Sequence, residues 1–202
     1  AHNLYQQRSG EDAVVQSEAC LLEERGHRVI RFTVHNDMVR RYSSVSLSMR
    51  TIWNQETFNR LRCVLQQTKP NVVHVHNTLP LLSPSVYYAA KLSGIPVVQT
   101  LHNYRLICPS AVLFREGRVC EDCLGRAVAW PGVFRGCYRD SRAATGVVAT
   151  ILSLHRVLGT WTRMVDLYIA LSDFARQKFI NAGLPEDKVV VKPNFVHPAP
   201  GM

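Results

Sequence analysis

The sequence predicts an α/β fold, a parallel sheet with helices on both faces. Three observations carry the expectation. Short β-branched runs recur along the chain, notably NVVHVH, PVVQTL and KVVVKPN. Segments with apolar residues at helical spacing separate them, and Gly or Pro closes most of those segments. Strand–helix–strand alternation at this spacing makes right-handed crossover units, which force neighbouring strands parallel.

Taken in order, residues 11–26 place Val14, Val15, Ala19, Leu21 and Leu22 at helical spacing and stop at Gly26. Residues 28–35 follow as a strand, and 35–51 are polar and aperiodic, so a loop is expected there. A helix over about 53–67 presents Phe58, Leu61, Val64 and Leu65 and ends at Lys69-Pro70. The second strand is 71–76, a short helix spans 85–93 before Gly94, and the third strand is 96–101. Residues 103–140 show no period and hold four of the six cysteines. A helix over 141–163, a strand over 166–171, a helix over 172–183 with Ser172 as N-cap, and a strand over 188–194 complete the pattern.

Composition narrows the function classes. With 202 residues, 47% hydrophobic and 19% charged, the chain is neither a disordered tail nor a coiled coil, and it suits one full α/β domain. The net charge of +9 favours anionic partners: phosphorylated small molecules, an acidic membrane face or nucleic acid. The longest apolar stretch, residues 143–154, falls short of the roughly 20 that cross a bilayer. The opening AHNLYQQRSGED has no basic start followed by an apolar core, so no secretory leader is expected and a cytoplasmic, reducing compartment is. The residues before the first predicted helix leave little for a first strand, and KPNFVHPAPGM reads as a linker. One domain of a larger protein is therefore expected, residues 1–194 with a linker from 195 to 202.

Ligands of parallel sheets bind beyond the carboxyl ends of the strands. That rule marks Arg8 to Glu11, His76-Asn77, His102-Asn103 and Ser172. The Arg8-Ser9-Gly10-Glu11 loop precedes a helix whose free N–H groups suit an anion, while Glu11 and Asp12 equally suit the first turn of any helix. His74 and His76 share one face of a strand; they open a metal site or form a structural pair, and the structural pair is expected. His102 at a strand end is either a catalytic imidazole or a cap. Cys108, Cys120, Cys123 and Cys137 form C-x11-C-x2-C-x13-C, a spacing that suits a tetrahedral zinc site; free thiols or disulfides are the alternatives. The same segment interleaves Arg105, Arg115, Arg118, Arg126, Arg135 and Arg139 with Trp130, Phe134 and Tyr138. That mix suits a membrane interface or phosphate ligand, or a solvated basic surface.

RSGED, PNVVHVHNTLPLLSPSVYYAAKLSGIPVVQTLHNYRLICP, IALSDFARQKFINAGLP and KVVVKPNFV together resemble the N-terminal half of a retaining glycosyltransferase of family 4. The resemblance implies a Rossmann-like domain, one of two in a GT-B fold, with 103–140 as a Cys-rich insertion and the C-terminal donor-binding domain absent from this stretch. It implies hexosyl transfer with retention from a nucleotide-sugar donor to the hydroxyl of a saccharide or lipid-linked acceptor, in polysaccharide biosynthesis. Such a role leaves room for peripheral contact with the inner membrane face and disfavours nucleic acid as a partner. His102 is then the catalytic candidate. Ser9, Gly10 and their neighbours Arg8 and Glu11 approach the diphosphate or transferred sugar. Asn103, Tyr104 and Arg105 line the acceptor pocket, with His76, Asn77, Ser172, Lys192 and Asn194 as further substrate contacts. No catalytic metal is implied, so a zinc at the cysteines would be structural. A non-catalytic module for a phosphorylated ligand or a partner, and a metal hydrolase on His74, His76 and His102, are the rival readings.

Overall fold

The computed structural model describes residues 1–7 and 9–197. It is an α/β structure with parallel strands flanked by helices, Rossmann-like as expected. Two compact units are distinct, one of Ala1–Ile95 with the segment from Lys192 onward, the other of Pro96–Val191.

The first unit begins with strand β1 (His2–Leu4), helix α1 (Gly10–Glu24) and strand β2 (Thr33–His35). β1 and β2 pair in parallel, His2 opposite Thr33 and Leu4 opposite His35. The expected strand over 28–35 is therefore shorter than its β-branched run, because only the last three residues lie against β1. Strand β3 (Val73–Val75) continues the arrangement through backbone bonds, His76 N–H to the Ala1 carbonyl at 3.1 Å and Asn3 N–H to the Asn77 carbonyl at 3.0 Å.

The expected loop over 35–51 is instead a 3₁₀ turn (Asn36–Arg41) followed by helix α2 (Ser44–Ile52). Periodicity misses α2 because it buries only Thr51, with Val45 and Met49 exposed. Its start is a local signal: the Ser43 hydroxyl accepts from Ser46 N–H at 3.3 Å. Helix α3 (Gln55–Thr68) buries Phe58, Leu61 and Leu65 as expected, while Cys63 is exposed. Helix α4 (Ser85–Leu92) closes at Gly94, whose φ of +71° suits a residue without Cβ.

The second unit contains strand β4 (Val97–Leu101), the hairpin β5 (Phe114–Arg115) and β6 (Arg118–Val119), helix α5 (Trp130–Arg135), helix α6 (Arg142–Val157), strand β7 (Leu167–Ala170), helix α7 (Asp173–Asn181) and strand β8 (Val189–Val191). β7 pairs in parallel with β4 on one side and β8 on the other. The helix expected over 141–163 ends at Val157, because Gly159 adopts φ +69° and breaks the ladder. A π turn over Thr160–Met164 follows, and the buried Tyr168 hydroxyl donates to the Trp161 carbonyl at 2.8 Å.

Asn54 shows how polar groups fix this packing. Its Oδ1 caps α3 by accepting from Thr57 N–H at 3.1 Å, and its Nδ2 donates to the Leu81 carbonyl at 2.6 Å. Both groups are buried, so no water replaces them. Asn54→Ala should lower the free energy of unfolding by about 2 kcal/mol, the sum of a lost cap and a lost buried hydrogen bond. Urea titration reads this directly; a midpoint unchanged from wild type would remove Asn54 from the account.

Candidate functional site

The start of α1 is built by its own sequence. Ser9 is the N-cap: its hydroxyl accepts from Asp12 N–H at 3.3 Å, and Ser9 N–H donates to Asp12 Oδ2 at 2.7 Å. The two residues form a reciprocal capping box. Asp12 Oδ1 accepts from Nε2 of the buried His2 at 2.7 Å, which places the His2 proton on Nε2. Burial raises the Asp12 pKa, but the bonds from His2 and Ser9 outweigh it and hold the carboxyl below its ordinary value. Gly10 is exposed, and a Cβ built on it would meet nothing within 4 Å. Nothing in the described chain requires glycine there. Glu11 accepts from the Tyr5 hydroxyl at 3.0 Å. Arg8 lies outside the described residues.

The same helix carries a group that the sequence reading passed over. Glu18 is buried on the inner face of α1, one helical turn beyond Val14. Lys192 Nζ lies 2.5 Å from its Oε1, and His74 Nδ1 and His76 Nε2 lie 3.5 and 3.6 Å from its Oε2. The two imidazoles are tilted against each other with centroids 4.1 Å apart, as two residues of one strand face require. Glu18, His74 and His76 bring three ligand atoms close enough to hold a metal ion. Lys192 already supplies positive charge at the carboxylate, so the arrangement is complete as an ion-pair cluster. The signal available in the sequence was an acid on the buried stripe of a helix. Asn77 Oδ1 accepts from Leu79 N–H at 3.0 Å, and Asn194 is exposed.

In the second unit His102 follows β4 directly and is half-buried. Asn103 turns the chain, its Oδ1 accepting from Arg105 N–H at 3.0 Å. The Tyr104 ring stacks on Phe179 at 5.6 Å, and Tyr104 N–H donates to the Ala111 carbonyl at 2.9 Å. Arg105 donates to the Pro109 carbonyl and lies 4.8 Å over the Tyr138 ring. Asn103, Tyr104 and Arg105 therefore build the turn that follows His102. Ser172 is the N-cap of α7, as expected, accepting from Ala175 N–H at 3.2 Å.

Cys108, Cys120, Cys123 and Cys137 all line one cavity, and none is in a disulfide. Cys108 is buried and the other three are half-buried. Burial pushes the Cys123 pKa up against the lowering effect of the Gly132 backbone N–H, and the neighbouring thiols add to the rise. Burial likewise raises that of Cys137, against the pull of Arg115. No helix among the described residues is long and apolar enough to cross a membrane.

Parallel strands with polar residues at their carboxyl ends, and a capped helix following the first strand, define a Rossmann-like domain. The model of Glycosyltransferase Family 4 matches residues 9–199, and the chain belongs to that family. A curated relative is an "Uncharacterized 42.6 kDa protein in cps region" of Klebsiella pneumoniae, 23% identical, with 86% of this chain covering 48% of that one. The chain thus spans about half the length of that relative. Among solved structures, a UDP-N-acetylglucosamine 2-epimerase from Rickettsia bellii is 15% identical with a TM-score of 0.46, over 96% of this chain and 44% of its own. A UDP-GlcNAc 2-epimerase from Neisseria meningitidis, solved with UDP-GlcNAc, is 14% identical with a TM-score of 0.47, over 96% and 45%. At that distance the likeness does not bear on activity.

The Asp12 interactions carry a pH signature. A carboxyl held below its ordinary value stabilises the fold fully above the unfolded-state pKa, near 4, and loses that contribution as pH falls through the lower folded value. Wild type should therefore exceed Asp12→Asn in stability above about pH 5, and the margin should shrink as pH falls below about pH 4. Denaturation at each pH measures it. A margin that failed to shrink below about pH 4 would contradict the His2 and Ser9 bonds.

Proposed function

We propose that this domain is the acceptor-side half of a retaining glycosyltransferase that moves a hexose from a nucleotide sugar to an acceptor hydroxyl. The observation that carries the reading is the family match across nearly the whole chain, with His102 at the carboxyl end of a parallel strand where ligands of this fold are met. In this reading His102 hydrogen-bonds the transferred sugar or the oxygen on which charge develops. Asn103 positions the turn, and Tyr104 and Arg105 shape the acceptor pocket.

Gly10 supports a close approach by the donor diphosphate. The chain itself leaves the space beside it open, which leaves room for such an approach. The N–H groups at the start of α1 would then offset the negative charge of the leaving diphosphate, helped by basic side chains, so the chemistry is assigned to no metal. Ser9 is committed to its capping box, which favours Gly10 over Ser9 as the phosphate neighbour.

The cps-region relative supports a place in polysaccharide biosynthesis. Trp130 and Phe134 are exposed on α5, and Arg126 lies 5.2 Å over the Trp130 ring. Amphipathic aromatics beside arginines support contact with a membrane that carries a lipid-linked acceptor.

The test uses the complete protein that contains this domain, assayed against a panel of nucleotide sugars with saccharide and lipid-linked acceptors. His102→Ala should lower kcat by about 10²–10³-fold while leaving donor affinity nearly unchanged, because the contact strengthens in the transition state. A kcat close to wild type would return His102 to a capping role. Donor binding without turnover on any acceptor would favour a module that only holds a phosphorylated ligand.

A further inference from the structure

Between β4 and α6 the chain builds little core of its own. Phe114, Val119, Trp130 and Phe134 are exposed, and the hairpin strands are two residues each. Five non-glycine residues there, Ala111, Leu113, Glu116, Arg139 and Asp140, hold left-handed backbone. Such backbone is strained for residues with a Cβ, so something must offset it. The segment buries Ile107, Ala111, Leu113 and Ala129 together with Cys108, and the other three thiols are half-buried beside them. Cys108 lies in the turn after Tyr104, Cys120 just beyond β6, Cys123 in the next turn and Cys137 just beyond α5. Three separate pieces of backbone thus set four thiols along the wall of one cavity of about 140 Å³.

We propose that Cys108, Cys120, Cys123 and Cys137 bind one zinc ion as a closed tetrathiolate site that holds this segment together. Zinc prefers four tetrahedral thiolates in structural sites, and a C-x2-C pair supplies two adjacent ligands without strain. The surroundings suit such a centre. One Zn²⁺ with four thiolates carries a net charge of 2−, and Arg115 and Arg135 line the same cavity. Arg135 Nη1 is 4.0 Å from Cys120 Sγ and is itself paired with Asp122. The Cys108 sulfur lies 3.1 Å from the Ser110 hydroxyl, and Gly132 N–H donates to the Cys123 sulfur. These donors belong to the outer contacts that orient thiolate ligands. Gly132 fits this spot because a Cβ there would lie 3.1 Å from Pro109 Cγ and 3.4 Å from Cys123 Sγ.

Binding is not a redox step. Each thiol releases its proton to solvent as its sulfur bonds to zinc, four protons per ion. The consequence reaches the functional turn, because Cys108 N–H donates to the Tyr104 carbonyl at 2.8 Å. A metal that fixes Cys108 also fixes the turn that follows His102. Glu18, His74 and His76 form the rival metal group, but Lys192 already lies against that carboxylate.

The chain, purified in chelator-free buffer from zinc-supplemented medium, should carry one zinc per chain by elemental analysis. Zinc should be lost in Cys123→Ser and kept in His76→Ala. Exchange of wild type with Co²⁺ should give the intense sulfur-to-cobalt charge-transfer absorption of a tetrathiolate, a readout that does not depend on whether Cys123→Ser folds. Stripping the metal should speed tryptic cleavage after Arg118 and Arg126. Protein without zinc even after incubation with it would overturn the proposal. So would a disulfide between any two of the four, or zinc that follows His76 instead of Cys123. None of these outcomes touches the sugar-transfer reading.

Discussion

The buried carboxylate of Glu18 is the constraint around which the first unit is arranged. An ionised carboxylate taken out of water costs several kcal/mol unless cations and donors surround it. Here they arrive from two distant parts of the chain, His74 and His76 around β3 and Lys192 beyond β8. Such a cluster does not add much net stability over an apolar core of equal volume. Its effect is to penalise any arrangement in which α1, β3 and the Lys192 segment fail to meet. The strand pairing agrees with it, because the backbone bonds at His76 and Asn77 run to Ala1, just before β1, and to Asn3 within the β1 that leads into α1.

The start of α1 follows from that anchoring. With Glu18 fixed in its middle and Asp12 tied to His2 and Ser9 at its beginning, the helix presents its first N–H groups in a defined place. Gly10 then stands with open space beside it. In the second unit the same division of labour recurs: β4, β7 and β8 provide the rigid frame, and the turn after β4 carries the polar residues. Asn103, Tyr104 and Arg105 are held by bonds within that turn and by Phe179 and Tyr138. This division suits a domain whose chemistry lies on loops set by a stiff sheet.

β2, β3, β4, β7 and β8, with α1, α3, α4 and α7, were legible because their apolar periodicity and their Gly or Pro ends are strong local signals, whereas β1 and the short hairpin β5–β6 were not. α2 was not, since it is a short Ser-rich helix that fully buries only Thr51. The long helix was over-extended because Gly159 sits inside an otherwise helical pattern, and a breaker shows its effect only when the backbone turns left-handed there. Ser172 was read correctly, as caps depend on neighbours in sequence. Glu18 escaped notice for the opposite reason: its partners lie 56, 58 and 174 residues away. His76 and Lys192 were picked out as ligand contacts, and the fold places both beside Glu18. The cysteine spacing was visible, whereas their convergence on one cavity needed the turns between them.

Lys192 and Glu18 act as a pair that joins the first unit. A double-mutant cycle on unfolding free energy, with Glu18→Gln, Lys192→Met and the combination, tests it most directly. The account predicts that the two changes do not add, with a coupling of about 1 kcal/mol or more after allowance for the partly exposed lysine. Additivity within about 0.3 kcal/mol would contradict it and return Lys192 to a role in binding alone.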